Sequence, residues 1–220
     1  MGGINNFSEV CIFPCLLFKV YNKSFCHTIY NSIMVTFILP GYSAKNRQWA
    51  EEVVKELELD GQIRPIFWDH WENPEKLFKP KEKARLIAGL AVKNQVNIIA
   101  KSVGTLVAAY IIEAISEQIN KVILCGIPTV SDERLRIFQK TYKNVKPENV
   151  ICYQNEGDPF ATPAEVKKFM EKVYPHNQNV GVGINPKIKI VSMPGNDHYY
   201  PYYEEFQKFL TLQEEIVLQS

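Results

Sequence analysis

From Ile33 onward, short continuous apolar runs alternate with segments of helical periodicity, and this alternation limits the fold more than any other feature. Ile33 to Leu39, ended by Pro40-Gly41, has the pattern of a strand buried on both faces. Trp49, Val53, Val54 and Leu57 then recur at helical spacing with Glu and Lys between them, and Asp60-Gly61 closes that segment. Ile63 to Trp68 reads as a second strand. A helix follows with Leu86, Ile87, Leu90 and Ala91 on its apolar face, and then Val96 to Ala100 as a third strand. Val103 to Ile115 is apolar almost all round, as a buried helix is. Lys121 to Gly126, Asn149 to Tyr153 and Lys187 to Val191 are further strands. They are separated by helical segments around Leu135 to Tyr142 and from Ala164 to Tyr174, and a last helix runs from Tyr202 to Leu212.

Strands that alternate with helices are joined most simply as right-handed parallel crossovers. The expected fold is α/β, a three-layer sandwich. Its sheet is mostly parallel, of about six strands, with helices on both faces. Between the fourth and fifth strands there is room for one helix and not for a large lid domain, so the expected site is shallow and open. Residues 1–32 differ in character: they hold three of the five cysteines (Cys11, Cys15 and Cys26) and few acidic groups. The apolar run from Val10 to Val20 is interrupted by Pro14 and is too short to span a bilayer. No clear signal-peptide pattern is present. This stretch is expected to be an extension, as edge strands or poorly ordered chain, ahead of a single domain over 33–220.

The charge balance removes some functions. With 25 basic and 24 acidic residues the formal net charge is +1, which provides no general field for a polyanion. The five cysteines are odd in number and loosely spaced, which argues against a disulfide framework. The four histidines are scattered and no CxxC pair occurs, so no metal site is expected. The chain is read as cytoplasmic, with neither nucleic acid nor membrane as a partner.

In an open parallel sheet, ligands bind beyond the carboxyl ends of the strands. At the end of the third strand stands Ala100-Lys101-Ser102-Val103-Gly104, with a buried helix directly after it. Small residues two before and two after a serine let strand and helix meet in a sharp turn that exposes the hydroxyl. The bland reading of this pentapeptide is a serine that caps a helix. A serine nucleophile needs a base, usually histidine, and the histidine needs a carboxylate on its second nitrogen. Gly195-Asn196-Asp197-His198 follows the last strand and Glu156-Gly157-Asp158-Pro159 the fifth. Asp158 could instead sit in a turn with Pro159 or cap the helix near Pro163, which leaves Asp132, Glu156 and Asp197 as alternative acids.

The chain order Ser102, Asp158, His198 after those strands resembles the α/β-hydrolase superfamily from Ile33 to Leu212, with Ala100 in place of the usual first glycine. The resemblance implies a serine hydrolase that needs no cofactor and takes a small-molecule ester or related acyl substrate. A non-catalytic binding protein and an acyltransferase are the rivals. It also implies an oxyanion hole from the backbone N–H groups of Val103 and of a residue in Gly41 to Ser43, with Tyr42 preferred. Gly41, Ser43, His70, Lys101, Pro128 and Tyr199 lie at strand ends and are candidate pocket residues. His70 is equally a structural histidine, and Lys101 either a solvated charge or the partner of a carboxylate.

Overall fold

The computed structural model describes residues 33–128, 131–175 and 188–212. Readings of residues 1–32, including Cys11, Cys15 and Cys26, and of Lys187 at the start of the last strand lie outside the described residues. The elements are β1 (Met34–Leu39), α1 (Asn46–Glu56), β2 (Gln62–Pro65), α2 (Pro80–Ala91), β3 (Gln95–Lys101) and α3 (Gly104–Ile115). They continue with β4 (Ile119–Cys125), α4 (Asp132–Tyr142), β5 (Val150–Asn155), α5 (Pro163–Val173), β6 (Lys189–Met193) and α6 (Tyr203–Thr211).

All six strands are parallel and lie in the order β2-β1-β3-β4-β5-β6. The chain steps from β1 outward to β2, then returns past β1 to β3 and continues in the new direction. Right-handed crossovers made in opposite directions put their helices on opposite faces. Accordingly α1 packs on one face, and α2, α3, α4 and α5 pack on the other. The last helix, α6, joins α1 on the first face.

Alternate residues of each strand feed the two cores. Phe37, Leu39, Ile98, Val122 and Leu124 point into the larger one, with Val107, Ile111, Phe138 and Phe169 from its helices. Ile38, Ile99, Ile123, Ile151 and Tyr153 point into the smaller one, against Trp49, Val53, Phe206 and Leu210. Because both faces are covered, the strands read as unbroken apolar runs. The all-round apolar α3 lies between α2 and α4 against the sheet, with seven of its residues from Gly104 to Ile112 buried.

Two sequence readings change. The second strand stops at Pro65, and the Trp68 ring is buried beyond its end. In α2 the buried stripe is Ala84, Ile87 and Ala91, whereas Leu86 is 67% and Leu90 47% exposed. Both stripes have helical spacing, but the helix packs directly on α3, and close approach favours the side with the alanines.

Register brings the carboxyl ends of the central strands level. Leu39 pairs with Ala100, Lys101 with Cys125, and Cys125 with Tyr153. The strand order reverses between β1 and β3, so the loop after β1 and the turn after β3 flank the crevice where open α/β sheets bind ligands. Ile99→Ala, at a fully buried position, is expected to cost about 2–5 kcal/mol in urea unfolding. Leu86→Ala, on the exposed side of α2, should stay within about 0.5 kcal/mol.

Candidate active site

Ser102 has φ +57, and among the described residues only it and Val92 hold a positive φ without being glycine. A non-glycine residue in that region is strained and persists only where its surroundings impose it. Here they do. The Ser102 N–H donates to the Cys125 carbonyl (2.9 Å), and its own carbonyl accepts from Thr105 Oγ1 (2.6 Å) and the Thr105 N–H (3.0 Å). A Cβ on Gly104 would fall 2.2 Å from the Leu39 carbonyl oxygen. Only glycine lets the first turn of α3 sit so close to the end of β1. Ser102 itself is half-buried, and no capping bond from a side chain is present at this end of α3.

The histidine and the acid meet. His198 Nδ1 donates to Asp158 Oδ2 at 2.6 Å, and the Asp158 side chain is fully shielded from solvent. A carboxylate can only accept, so the Nδ1 position carries the proton and Nε2 of the neutral ring is left with a lone pair. Among the described residues that buried Nε2 has no hydrogen-bond partner. Asp158 Oδ2 also accepts from the Tyr200 hydroxyl, and Oδ1 from the Phe160 N–H (2.9 Å). Burial disfavours the charge on Asp158, but the bonds from His198, Tyr200 and Phe160 outweigh it and hold the carboxyl below its ordinary range.

Two clamps fix the histidine loop. Asn155 Nδ2 donates to the carbonyls of Asp197 (2.9 Å) and Tyr199 (2.8 Å), one on each side of His198, while its Oδ1 accepts from the Tyr202 hydroxyl (2.6 Å). The Gly157 N–H donates to the Gly195 carbonyl at 2.8 Å, which ties the acid loop to the histidine loop. Gly126 has φ +56, and a Cβ there would lie 2.7 Å from His198 Cε1 and 2.6 Å from Tyr200 Cε2. The imidazole thus sits against Gly126, the residue after the Cys125 carbonyl that binds the Ser102 amide. No hydrogen bond joins Ser102 Oγ to His198 among the described residues. Such bonds are often long in a free enzyme and tighten when substrate arrives.

The loop after β1 is held by its carbonyls. Trp68 Nε1 donates to the Pro40 (3.2 Å) and Gly41 (3.1 Å) oxygens, and the Tyr42 oxygen accepts from Trp71 Nε1 (2.6 Å) and His70 Nε2 (2.8 Å). In a trans peptide the C=O and the following N–H point in opposite directions. The grip of Trp68 on the Gly41 carbonyl therefore aims the Tyr42 N–H away from Trp68. The Tyr42 ring stacks on His70, with centroids 4.5 Å apart, and the half-exposed face of Tyr42 closes this side of the crevice. His70 is thus buried and bonded to the backbone of the loop.

The other sequence-selected residues separate from this group by their contacts. Asp132 is exposed in the first turn of α4, and Glu156 accepts from Ser192 Oγ (3.2 Å). Asp197 Oδ1 accepts from the Tyr199 N–H (3.0 Å). The cap of α5 is Thr162, not Asp158: Thr162 Oγ1 accepts from the Glu165 N–H (3.3 Å), and the Glu165 side chain accepts from the Thr162 N–H (2.8 Å). Asp158 does make the turn bond to Phe160 while it holds His198. Lys101 is neither solvated nor paired with a carboxylate. It is 4% exposed, its ammonium donates to Asn46 Oδ1, and it faces the rings of Trp49 (5.5 Å) and Tyr199 (5.8 Å). Burial lowers its pKa to about 8. The Tyr199 hydroxyl bonds Glu52, and Ser43 lies exposed with its carbonyl accepting from Asn46 Nδ2 (2.9 Å). Gly41 packs on the Asn46 amide, and Pro128 is half-buried after β4. Its neighbour Ile127 is held by an N–H bond to Gln154 Oε1 (3.1 Å).

Asn155, Gln154, Tyr200, Trp68 and Trp71 are supporting side chains to which the sequence assigns no role in the site. Their positions at or beyond strand ends were legible, but their partners were not. Among the described residues no group of His, Cys, Asp and Glu could hold a metal, and no helix is long and apolar enough to cross a membrane. Cys125 and Cys152 are buried free thiols whose pKa values burial pushes up, the behaviour of inert core residues.

No family model matches the chain, and no curated protein matches it in sequence. Among solved structures it is similar to MGS-M2, an α/β-hydrolase enzyme from a Medee basin deep-sea metagenome library. The identity is 14% over 85% of this chain and 92% of that chain, with a TM-score of 0.54. Two thioesterases are also similar. RedJ, from the prodiginine biosynthetic pathway of Streptomyces coelicolor, is 13% identical over 80% of this chain and 84% of that one, with a TM-score of 0.49. YbtT, the type II thioesterase of the yersiniabactin pathway, is 14% identical over 83% and 92%, with a TM-score of 0.49.

The Asp158 contacts generate a pH-dependent prediction. A carboxyl held below its unfolded value of about 3.9 stabilises the fold above that pH, and the contribution is lost as pH falls through the folded value. Tyr200→Phe removes one donor from Asp158 and the acceptor of the Asn155 N–H, so it should cost about 1–3 kcal/mol at pH 7 in urea unfolding. The gap from the wild type should begin to narrow below about pH 4, where the unfolded carboxyl takes its proton, and close as pH falls on through the lower folded value.

Proposed function

Because this chain has the α/β-hydrolase fold, with a strained serine and a carboxylate-bound histidine on one rim of its sheet, we propose that it is a serine hydrolase. It cleaves a carboxylic ester or a related acyl bond through an acyl-enzyme on Ser102. The observation that carries this reading is the position of His198, held by Asp158 at one nitrogen and set against Gly126 beside the Ser102 turn. Supporting it, the strained φ of Ser102 is imposed where the imidazole lies, over a glycine whose missing side chain leaves room for the ring.

The chemistry follows from these contacts. Ser102 Oγ attacks the acyl carbon and its proton passes to His198 Nε2, the ring nitrogen that has a free lone pair. Asp158 holds the ring in that tautomer and stabilises the imidazolium. The carbonyl oxygen becomes an oxyanion and accepts from the N–H groups of Val103 and Tyr42, neither of which meets a backbone acceptor among the described residues. Each donor is worth about 3 kcal/mol of barrier. Helix α3 adds the positive end of its dipole. When the intermediate collapses, the bond to the leaving alcohol breaks and the alcohol takes the proton from Nε2. A water then gives its proton to His198, attacks the acyl carbon and releases the acid, and Ser102 regains its proton. All the atoms come from substrate and water.

A fluorophosphonate probe should label the wild-type protein and leave Ser102→Ala unlabelled, read by intact mass. Equal labelling of the two would remove Ser102 from the reaction. Asp158→Asn should lower kcat by about 10⁴-fold on an activated ester, the effect expected when the acid fixes the histidine tautomer. A loss below about tenfold would show that the carboxylate does not play that part.

A further inference from the structure

On the face of the sheet that carries α2, α3 and α4 lies a cavity of about 610 Å³. Phe78, Leu106, Tyr110 and Ile137 supply its apolar walls, and Arg134 and Arg85 its positive charge. No side chain of Ser102, Asp158 or His198 lines it, but two of its wall residues, Leu106 and Phe78, contact Val103 and Tyr42, the residues assigned to the oxyanion hole. The Leu106 N–H donates to the Val103 carbonyl (3.0 Å), and the Phe78 ring packs edge-on to Tyr42 (5.7 Å) and His70 (5.1 Å).

Arg134 is the unusual member. Its Nη1 donates to Thr105 Oγ1 (3.0 Å), and among the described residues no carboxylate forms an ion pair with it. Of the two acidic wall residues, Glu82 is engaged by Lys79 (3.0 Å), and Glu133 forms no ion pair with Arg134 among the described residues. Arg134 also stands in the first turn of α4, where the helix dipole disfavours a cation, and burial lowers its pKa to about 10. Arg134 is half-buried on the cavity wall, and a partly desolvated cation without a counter-charge is a ready partner for an anion. Its remaining N–H donors form a planar fork suited to a carboxylate. Thr105 Oγ1, which accepts from Arg134, donates in turn to the Ser102 carbonyl (2.6 Å), so two hydrogen bonds separate this guanidinium from the nucleophile turn.

We propose that this cavity is the acyl subsite of the reaction assigned to Ser102 and that Arg134 selects acyl chains ending in a carboxylate. The inference rests on the hydrolase reading. The apolar walls take the methylenes of a short chain, the guanidinium takes the terminal carboxylate, and the scissile carbonyl stays at the rim beside Tyr42 and Val103. The products are a dicarboxylic acid and the leaving alcohol.

The test compares the p-nitrophenyl half-ester of glutaric acid with p-nitrophenyl valerate, a neutral ester of the same chain length. The wild type should prefer the charged ester in kcat/KM, and Arg134→Gln should reduce that preference by about ten- to a hundredfold, chiefly through KM. Arg134→Lys, which keeps the charge and loses the fork, should fall between them. Calorimetry with free glutarate provides a readout that needs no turnover: Ser102→Ala should bind it, and Ser102→Ala with Arg134→Gln should not, with circular dichroism showing both folded. Equal preference in wild type and Arg134→Gln, or no glutarate binding by Ser102→Ala, overturns the proposal. Glutarate binding without turnover of either ester overturns the hydrolase reading, and with it the catalytic role of the cavity.

Discussion

The first turn of α3 approaches the end of β1 so closely that a Cβ on Gly104 would strike the Leu39 carbonyl at 2.2 Å. That contact joins the two strands between which the sheet changes direction. It forces the chain after β3 to reverse within two residues, and the reversal is what leaves Ser102 at φ +57. The amide of Ser102 then reaches across to the end of β4, where the Cys125 carbonyl receives it. The turn after β3 is thus tied to the ends of β1 and β4 by backbone contacts.

Around that contact the polar groups are buried and satisfied by one another. Asn155 grips the backbone on both sides of His198, Tyr200 and the Phe160 amide bind Asp158, and Gln154 joins the loops after β4 and β5 through Ile127 and the Ala161 carbonyl. Trp68, His70 and Trp71 do the same for the loop after β1 by donating to three successive carbonyls. These bonds order the rim and leave the buried Nε2 of His198 and Nδ1 of His70 as its unpartnered ring nitrogens among the described residues. Against this background the unbalanced charge of Arg134 stands out.

Much of this was legible in the chain. Strand and helix positions followed from hydrophobic period, because strands covered on both faces read as unbroken runs and α3, wedged between two helices, reads as apolar all round. Ala100-x-Ser102-x-Gly104 was visible as a close strand-to-helix turn because small side chains are the only ones that fit there. The carboxylate of Asp158 remained one of several candidates, since Glu156, Asp132 and Asp197 also follow strands and the sequence carries no distance. In α2 the leucines outweighed the alanines by hydropathy, although the alanine side packs inward.

The sequence by itself determined the class of fold and the order in which strand ends present a serine, carboxylates and a histidine, because period and turn chemistry are local properties. Only the tertiary structure decided which carboxylate meets His198, that Lys101 ends on an asparagine, and that three donors after β2 hold the loop after β1. These are contacts between segments far apart along the chain. They are set by the register of parallel strands and the reversal of their order, and no local pattern encodes them.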